Sequence, residues 1–127
     1  MRIRKQVLDG IIETLVMGVL ESDASYGYAI VRELNRRAGG AIICGEGTVY
    51  PVLRRLQEKG YVLARWSKSS AGRKRKYYRL SAKGRRQLKC NRDEWALLTD
   101  VMAAVAGIKN NIGWKKRRKT FGRPQRK

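Results

Sequence analysis

Gly47-Thr-Val-Tyr-Pro-Val-Leu-Arg-Arg-Leu-Gln-Glu-Lys-Gly60 is the stretch whose reading decides the fold. Its apolar residues, Val49, Val52, Leu53 and Leu56, recur at helical spacing and form one stripe. The opposite face carries Thr48, Arg54, Arg55 and Glu58. Gly60 can take the left-handed conformation that ends a helix. Pro51 is tolerable if the helix starts near Thr48, because the first four backbone N–H groups of a helix have no partner within it. Thr48 is then the expected N-cap, its hydroxyl accepting one of those N–H groups. The stretch reads as a short, stiff helix with a buried stripe and a basic outer face.

Working outward, the composition says what that face meets. The chain has 127 residues, which suits one domain, and 30 Lys and Arg against 10 Asp and Glu leave a net charge of +20. So large an imbalance points to a polyanionic partner: DNA, RNA or an anionic membrane. No apolar run approaches the roughly 18 residues of a membrane span, and the start does not read as a signal peptide, since Asp9 and Glu13 interrupt it. The expected location is the cytoplasm. Cys44 and Cys90 lie far apart without CxxC spacing, which fits two reduced thiols rather than a disulfide or a metal site. Histidine is absent. That removes the Ser-His and Cys-His nucleophile pairs and the commonest metal ligand. No Gly-rich phosphate loop is present; Gly39-Gly40 precedes Ala41-Ile-Ile. An enzyme is not expected, nor a cofactor or metal.

Upstream of the deciding stretch, residues 6–21 read as a helix with a wide apolar face from Val7 to Leu20. Asp23 or Ser25 can cap a second helix that runs to about Arg37, burying Tyr26, Ala29, Ile30, Val31 and Leu34. Downstream the period changes. Tyr61–Trp66 and Arg73–Leu80 read as two strands joined by a flexible Ser67–Gly72 loop. Such a hairpin is not stable alone and must lean on the helices. Between Lys59 and Arg92 there is no acidic residue. Ser81 can cap a long helix from Ala82 to about Ala106, ended by Gly107. Along it Leu88, Trp95 and Met102 recur every seven residues, as do Asn91, Leu98 and Val105. Heptad spacing favours pairing with the same helix of a second copy. From Lys109 onward the chain has no acid and few apolar residues, so disorder is expected in the free protein.

Three helices followed by a basic hairpin make the layout of a winged helix. The fold class is mainly α with a β-hairpin: a winged helix-turn-helix plus a long C-terminal dimerisation helix. The third helix fits a major groove, where Arg54 and Arg55 can reach guanine edges or phosphates. The hairpin places Arg73, Lys74, Arg75 and Lys76 beside the backbone or in the minor groove.

Gly47-Thr48-Val49-Tyr50-Pro51-Val52-Leu53-Arg54-Arg55-Leu56, then Gly72-Arg73-Lys74-Arg75-Lys76-Tyr77-Tyr78-Arg79-Leu80-Ser81, followed by Lys83-Gly84, resembles the PadR family of bacterial transcriptional regulators. The resemblance runs from about Val7 to Gly84 and more loosely through the last helix. A single C-terminal helix resembles the family's short branch. That resemblance implies a homodimer acting as a repressor released by a small molecule or a stress signal. Trp95 sits where some short members have a tryptophan lining a drug pocket at the dimer centre. The basic tail beyond Gly107 and the density of charge on the wing depart from the family's pattern.

The expected organisation is therefore a DNA-binding domain over residues 1–81, a dimerisation helix over 82–107 and a basic tail over 108–127. The expected DNA-binding residues are Ser25, Tyr26, Thr48, Tyr50, Pro51, Arg54, Arg55, Arg73, Lys74, Arg75 and Lys76. Ser25 is a better phosphate ligand than Tyr26, which fits the core. Tyr50 and Pro51 either shape the helix start or, for Tyr50, touch a base or phosphate. Tyr77 and Tyr78 alternate in direction, so one belongs to the core and the other to the wing surface. The expected dimer seam is Leu88, Asn91, Trp95, Leu98, Met102 and Val105. Trp95 and Met102 are also the candidate effector site, although a heptad stripe needs no ligand to explain it. The expected partners are a double-stranded DNA operator, a second copy of the chain and a small aromatic effector, with no membrane. The rival reading is a non-specific nucleic-acid packaging protein, in which the basic wing and tail are the whole function.

Overall fold

A computed structural model describes residues 1–68 and 71–109. The expected disordered tail, with Trp114 in it, lies outside the described residues from 110 onward. The elements in chain order are α1 (Lys5–Leu20), β1 (Ser25–Tyr26), α2 (Gly27–Ala38), α3 (Glu46–Glu58), β2 (Val62–Lys68), β3 (Lys74–Leu80) and α4 (Ala82–Ala106). The chain divides into two compact units, residues 1–88 and 89–127, and the division falls inside α4.

In the first unit α1, α2 and α3 pack on one another. Ile12, Val16, Met17 and Leu20 of α1 meet Ile30 and Leu34 of α2 and the α3 stripe of Val49, Val52, Leu53 and Leu56. The sheet closes the core with Val62, Tyr78 and Leu80. No polar or charged side chain among the described residues is buried in it. The unit is thus held mainly by apolar burial, at roughly 25 cal/mol per Å² removed from water.

The α2–α3 connection is pinned by one side chain. Asn35 Nδ2 donates to the Cys44 carbonyl at 2.7 Å, and the Cys44 N–H donates to Asn35 Oδ1 at 3.0 Å. This clasp fixes where α3 begins. Gly45, not Thr48, is the N-cap, and no side chain caps the helix. The N–H groups of Thr48 and Val49 both bond the Gly45 carbonyl. Pro51 therefore lies inside the helix rather than at its start. Having no N–H, it leaves the Gly47 carbonyl without its i+4 donor on the exposed side. At the other end Gly60 does what the sequence suggests. Its φ of 80° lets its N–H reach the Gln57 carbonyl while the Tyr61 N–H reaches Leu56.

Two expectations at the start of α2 are corrected. Neither Asp23 nor Ser25 caps it; the N-cap is Tyr26, with no side-chain cap bond. Ser25 and Tyr26 instead form a short edge strand opposite Tyr78 and Tyr77. The sheet is accordingly three-stranded and antiparallel, in the order β1-β3-β2. Tyr26 is half-buried and packs edge-on against Tyr77 at 5.5 Å rather than entering the helical core. Ser67 and Lys68 continue β2 opposite Arg75 and Lys74 instead of opening the loop. Tyr78 is the core tyrosine of its pair and Tyr77 the outer one.

Ser81 caps α4 as expected. Its Oγ accepts the Gly84 N–H at 2.9 Å and donates to the Gly60 carbonyl at 2.7 Å, tying α4 to the end of α3. Leu88 requires a correction. Expected in the dimer seam, it is 2 % exposed and belongs to the core of the first unit. The heptad rhythm continues the domain-facing stripe of the first turns, so spacing alone did not mark where that core ends.

Candidate nucleic-acid interface

On α3, Gly47, Pro51, Arg54 and Glu58 succeed one another at four- and three-residue steps, and all four are exposed. They form the stripe opposite the buried one. Thr48, Arg55 and Lys59 lie on one flank of that stripe, and Glu46, Tyr50 and Gln57 on the other.

The Tyr50 flank faces the wing. A cleft of about 600 Å³ opens there, between the first turns of α2 and α3 and the strand residues near the wing tip. Tyr26, Tyr28, Tyr50, Trp66 and Tyr78 supply its aromatic lining, and Arg73, Lys74, Arg75 and Lys76 its cations. Glu46 is its one carboxylate among the described residues. The register of β2 and β3 explains the arrangement. Trp66 pairs with Lys76 and Lys68 with Lys74, on the same sheet face as the core pair Val62 and Leu80. Arg75 alternates to the other face, where its guanidinium lies 4.2 Å from the Tyr26 ring centroid, a cation–π contact.

Gly27 makes the cleft's floor. A Cβ at this position would collide with the Tyr50 ring, so glycine lets that ring lie across the start of α2. Burial, then the Glu46 carboxylate, pushes the Tyr50 phenol above its ordinary pKa. Burial, then Tyr50, pushes Tyr78 up as well, against the opposing pull of the Arg54 cation. Both phenols stay neutral at physiological pH, and the Tyr50 hydroxyl gives its one hydrogen to the Glu46 carboxylate.

The other flank is occupied from within. Glu13 of α1 accepts a hydrogen bond from Arg55 Nε at 3.1 Å and two from Lys59 Nζ at 2.9 and 3.2 Å. Burial raises the Glu13 pKa, but the bonds and charges of Lys59 and Arg55 outweigh it, and the carboxyl ends below its ordinary value.

The structure thus brings together Tyr26, Tyr50, Arg73, Lys74, Arg75 and Lys76 in one cleft, with Arg54 and Pro51 on the exposed stripe beside it. It does not bring in Ser25, which pairs in the sheet, or Thr48 and Arg55, which lie on the α1 flank. Sequence reasoning missed Trp66, 63 % exposed in the middle of the basic face. Strand alternation from Val62 could have placed it there. It also missed Glu13, which has no local signal.

In the second unit, α4 carries Trp95, Leu98, Met102 and Val105, exposed by 37, 38, 42 and 82 %. Leu97, Val101 and Ile108 are also exposed. Asn91 is half-buried. Thr99 Oγ1 donates to the Trp95 carbonyl at 2.9 Å within the helix. Cys44 is buried, which pushes its thiol pKa up, and Cys90 is exposed. No group of His, Cys, Asp and Glu among the described residues could hold a metal ion, and none of the described helices is long and apolar enough to cross a membrane.

Comparison with known proteins gives this arrangement a lineage. The profile of the transcriptional regulator PadR-like family matches residues 16–90. Among solved structures, a transcriptional regulator from Clostridium thermocellum is 26 % identical, with a TM-score of 0.73 over 80 % of this chain and 98 % of its own. A PadR-like transcriptional regulator from Bacillus cereus is 28 % identical, with a TM-score of 0.71 over 83 % of this chain and all of its own. PadR of Bacillus subtilis, solved in complex with operator DNA, shares the fold at 22 % identity and a TM-score of 0.57, over 62 % of this chain and 45 % of its own.

Proposed function

The chain belongs to the PadR-like family of transcriptional regulators, and from that premise we propose that it is a homodimeric repressor reading a pseudo-palindromic operator and released by a small aromatic molecule. Members of this family are regulators of transcription, not enzymes. The observation that carries the finer reading is the cleft where the exposed start of α3 meets an acid-free wing. With α3 in a major groove, Arg54 and Pro51 face base edges, while Tyr50 and the wing cations flank them at the phosphates. That the Bacillus subtilis relative was solved with operator DNA supports the same use of the fold here.

On this reading residues 1–81 bind DNA, and the exposed face of α4 within residues 82–107 pairs with its copy in a second protomer. A helix with Trp95, Leu98, Met102 and Val105 between 37 and 82 % exposed leaves apolar surface that pairing would cover. An aromatic effector between the paired helices would touch Trp95 and Met102 and change the separation of the two α3 helices. Shifts of about 1–2 Å at such interfaces are enough for this kind of switch. The protein acts in the cytoplasm, where its DNA is.

Selection of bound sequences from a random duplex library tests the reading. The expected product is a two-fold symmetric motif with half-sites separated by roughly 10 base pairs, one helical turn. Recovery of no motif would leave a charge-driven packaging protein instead. For the effector, Trp95→Ala abolishes the fluorescence response to aromatic ligands and leaves DNA binding intact; an undiminished response would remove Trp95 from the site.

A further inference from the structure

α3 and its C-cap carry Arg54, Arg55 and Lys59, yet two of these three cations are already held by an anion of the protein itself. Glu13 reaches from α1 to both Arg55 and Lys59, with three contacts between 2.9 and 3.2 Å. The Glu13 side chain is 27 % exposed, and its partners are about half exposed at 48 and 49 %. All three groups therefore lie at the rim of the domain, where a phosphate could compete with the carboxylate. Arg55 and Lys59 sit on the flank of the exposed α3 stripe. On a helix lying in a groove, flank residues reach the phosphate chains while the centre reads bases.

We propose that Glu13 is a positioning residue that stands in for a phosphate. It keeps Arg55 and Lys59 off the DNA backbone and so lowers the protein's sequence-independent affinity. The proposal rests on the reading of α3 as the groove-facing helix. It answers a need set by the charge. A chain at +20 binds any duplex, and each such contact adds to non-specific binding without adding discrimination. Withholding two cations beside the reading helix reduces that background and leaves Arg54 free. The ion pairs themselves are partly exposed and contribute little to stability, so their effect falls on binding rather than on folding.

The test measures affinity of the full chain for a random-sequence duplex across a salt series. Each cation that newly reaches a phosphate steepens the slope of log affinity against log salt by about 0.9. Glu13→Gln is expected to steepen it by up to about 1.8, an added loss of roughly 12-fold between 50 and 200 mM salt. Adding Arg55→Gln and Lys59→Gln to that variant is expected to return the slope to the wild-type value. In the presence of Glu13, the Arg55→Gln/Lys59→Gln pair is expected to leave the slope unchanged. A slope unmoved by Glu13→Gln in a folded protein overturns the proposal. So does a slope that drops by about 1.8 in the pair that retains Glu13, since the cations would then already be on phosphate. Arg54→Gln separates this from the parent reading. If Arg54→Gln weakens binding while Glu13→Gln does nothing, the Glu13 proposal alone fails. If neither variant changes anything, both fail.

Discussion

Replacing Gly27 by alanine tests the packing that builds the cleft. In most first-turn positions this change would stabilise the chain by about 0.4–1 kcal/mol, by restricting the unfolded state. Here the added Cβ overlaps the far end of the Tyr50 ring. Forcing a methyl into a filled site costs about 1–3 kcal/mol. Tyr50 is 39 % exposed, so its ring can swing toward solvent, which places the cost near the lower end. Set against that gain, the net expectation is a loss of up to about 0.6 kcal/mol, or roughly 2–5 °C in Tm for a unit of this size. Swinging out also takes the phenol from its place beside Glu46 and Tyr78, so DNA affinity should fall with stability. Removing the ring relieves the clash, so Gly27→Ala combined with Tyr50→Ala should be less destabilising than the sum of the two. An interaction energy of about 1 kcal/mol is expected. Urea unfolding of the four proteins at equal protomer concentration reads the cycle, and duplex binding reads the functional side. If Gly27→Ala matches or exceeds wild-type stability and the two changes simply add, the close approach of α2 and α3 is misread.

Other predictions follow from single contacts. Ser81→Ala removes both the α4 cap and the tie to Gly60, and should cost about 0.5–2 kcal/mol by thermal or urea unfolding; a neutral result would show that water replaces both bonds. Lys74→Gln should flatten the salt slope of duplex binding by up to about 0.9, while Arg75→Gln, whose cation already lies on Tyr26, should flatten it less; equal effects per charge would contradict the alternation of the wing. Glu13 has a folded pKa below its unfolded value of about 4.5, so its stabilisation is fully present above that pH and is lost as pH falls through the folded value. Glu13→Gln should therefore lose less stability than wild type as pH falls below about 4.5; parallel acid-unfolding curves would show that the carboxylate titrates normally.

Much of the fold was legible because it is written locally. The α3 stripe, the Gly60 stop, the Ser81 cap and the alternation of Tyr77 and Tyr78 each depend on residues a few positions apart, and each is found as expected. What escaped depends on distant partners. A two-residue strand at Ser25 and Tyr26 has no periodicity of its own and exists because Tyr77 and Tyr78 offer it an edge. Thr48 looks like a cap until Asn35 clasps Cys44 and starts the helix at Glu46. The candidate site was legible as a composition and not as a geometry. Arg54 and Arg55 are neighbours on the same outer surface by periodicity, yet Arg55 is bonded to Glu13, 42 residues away. Leu88 shares its heptad position with Trp95 and Met102, and only the extent of the core separates it from them.

The central claim is that α3 and the wing together read sequence, with phosphate contacts as background. The direct measurement is the affinity for the fragment upstream of the protein's own gene against a random fragment, at low and at physiological salt. The account predicts a preference of about a thousandfold or more that persists as salt rises. Equal affinity for both fragments, collapsing together as salt rises, would contradict it and make the basic wing and tail the whole function.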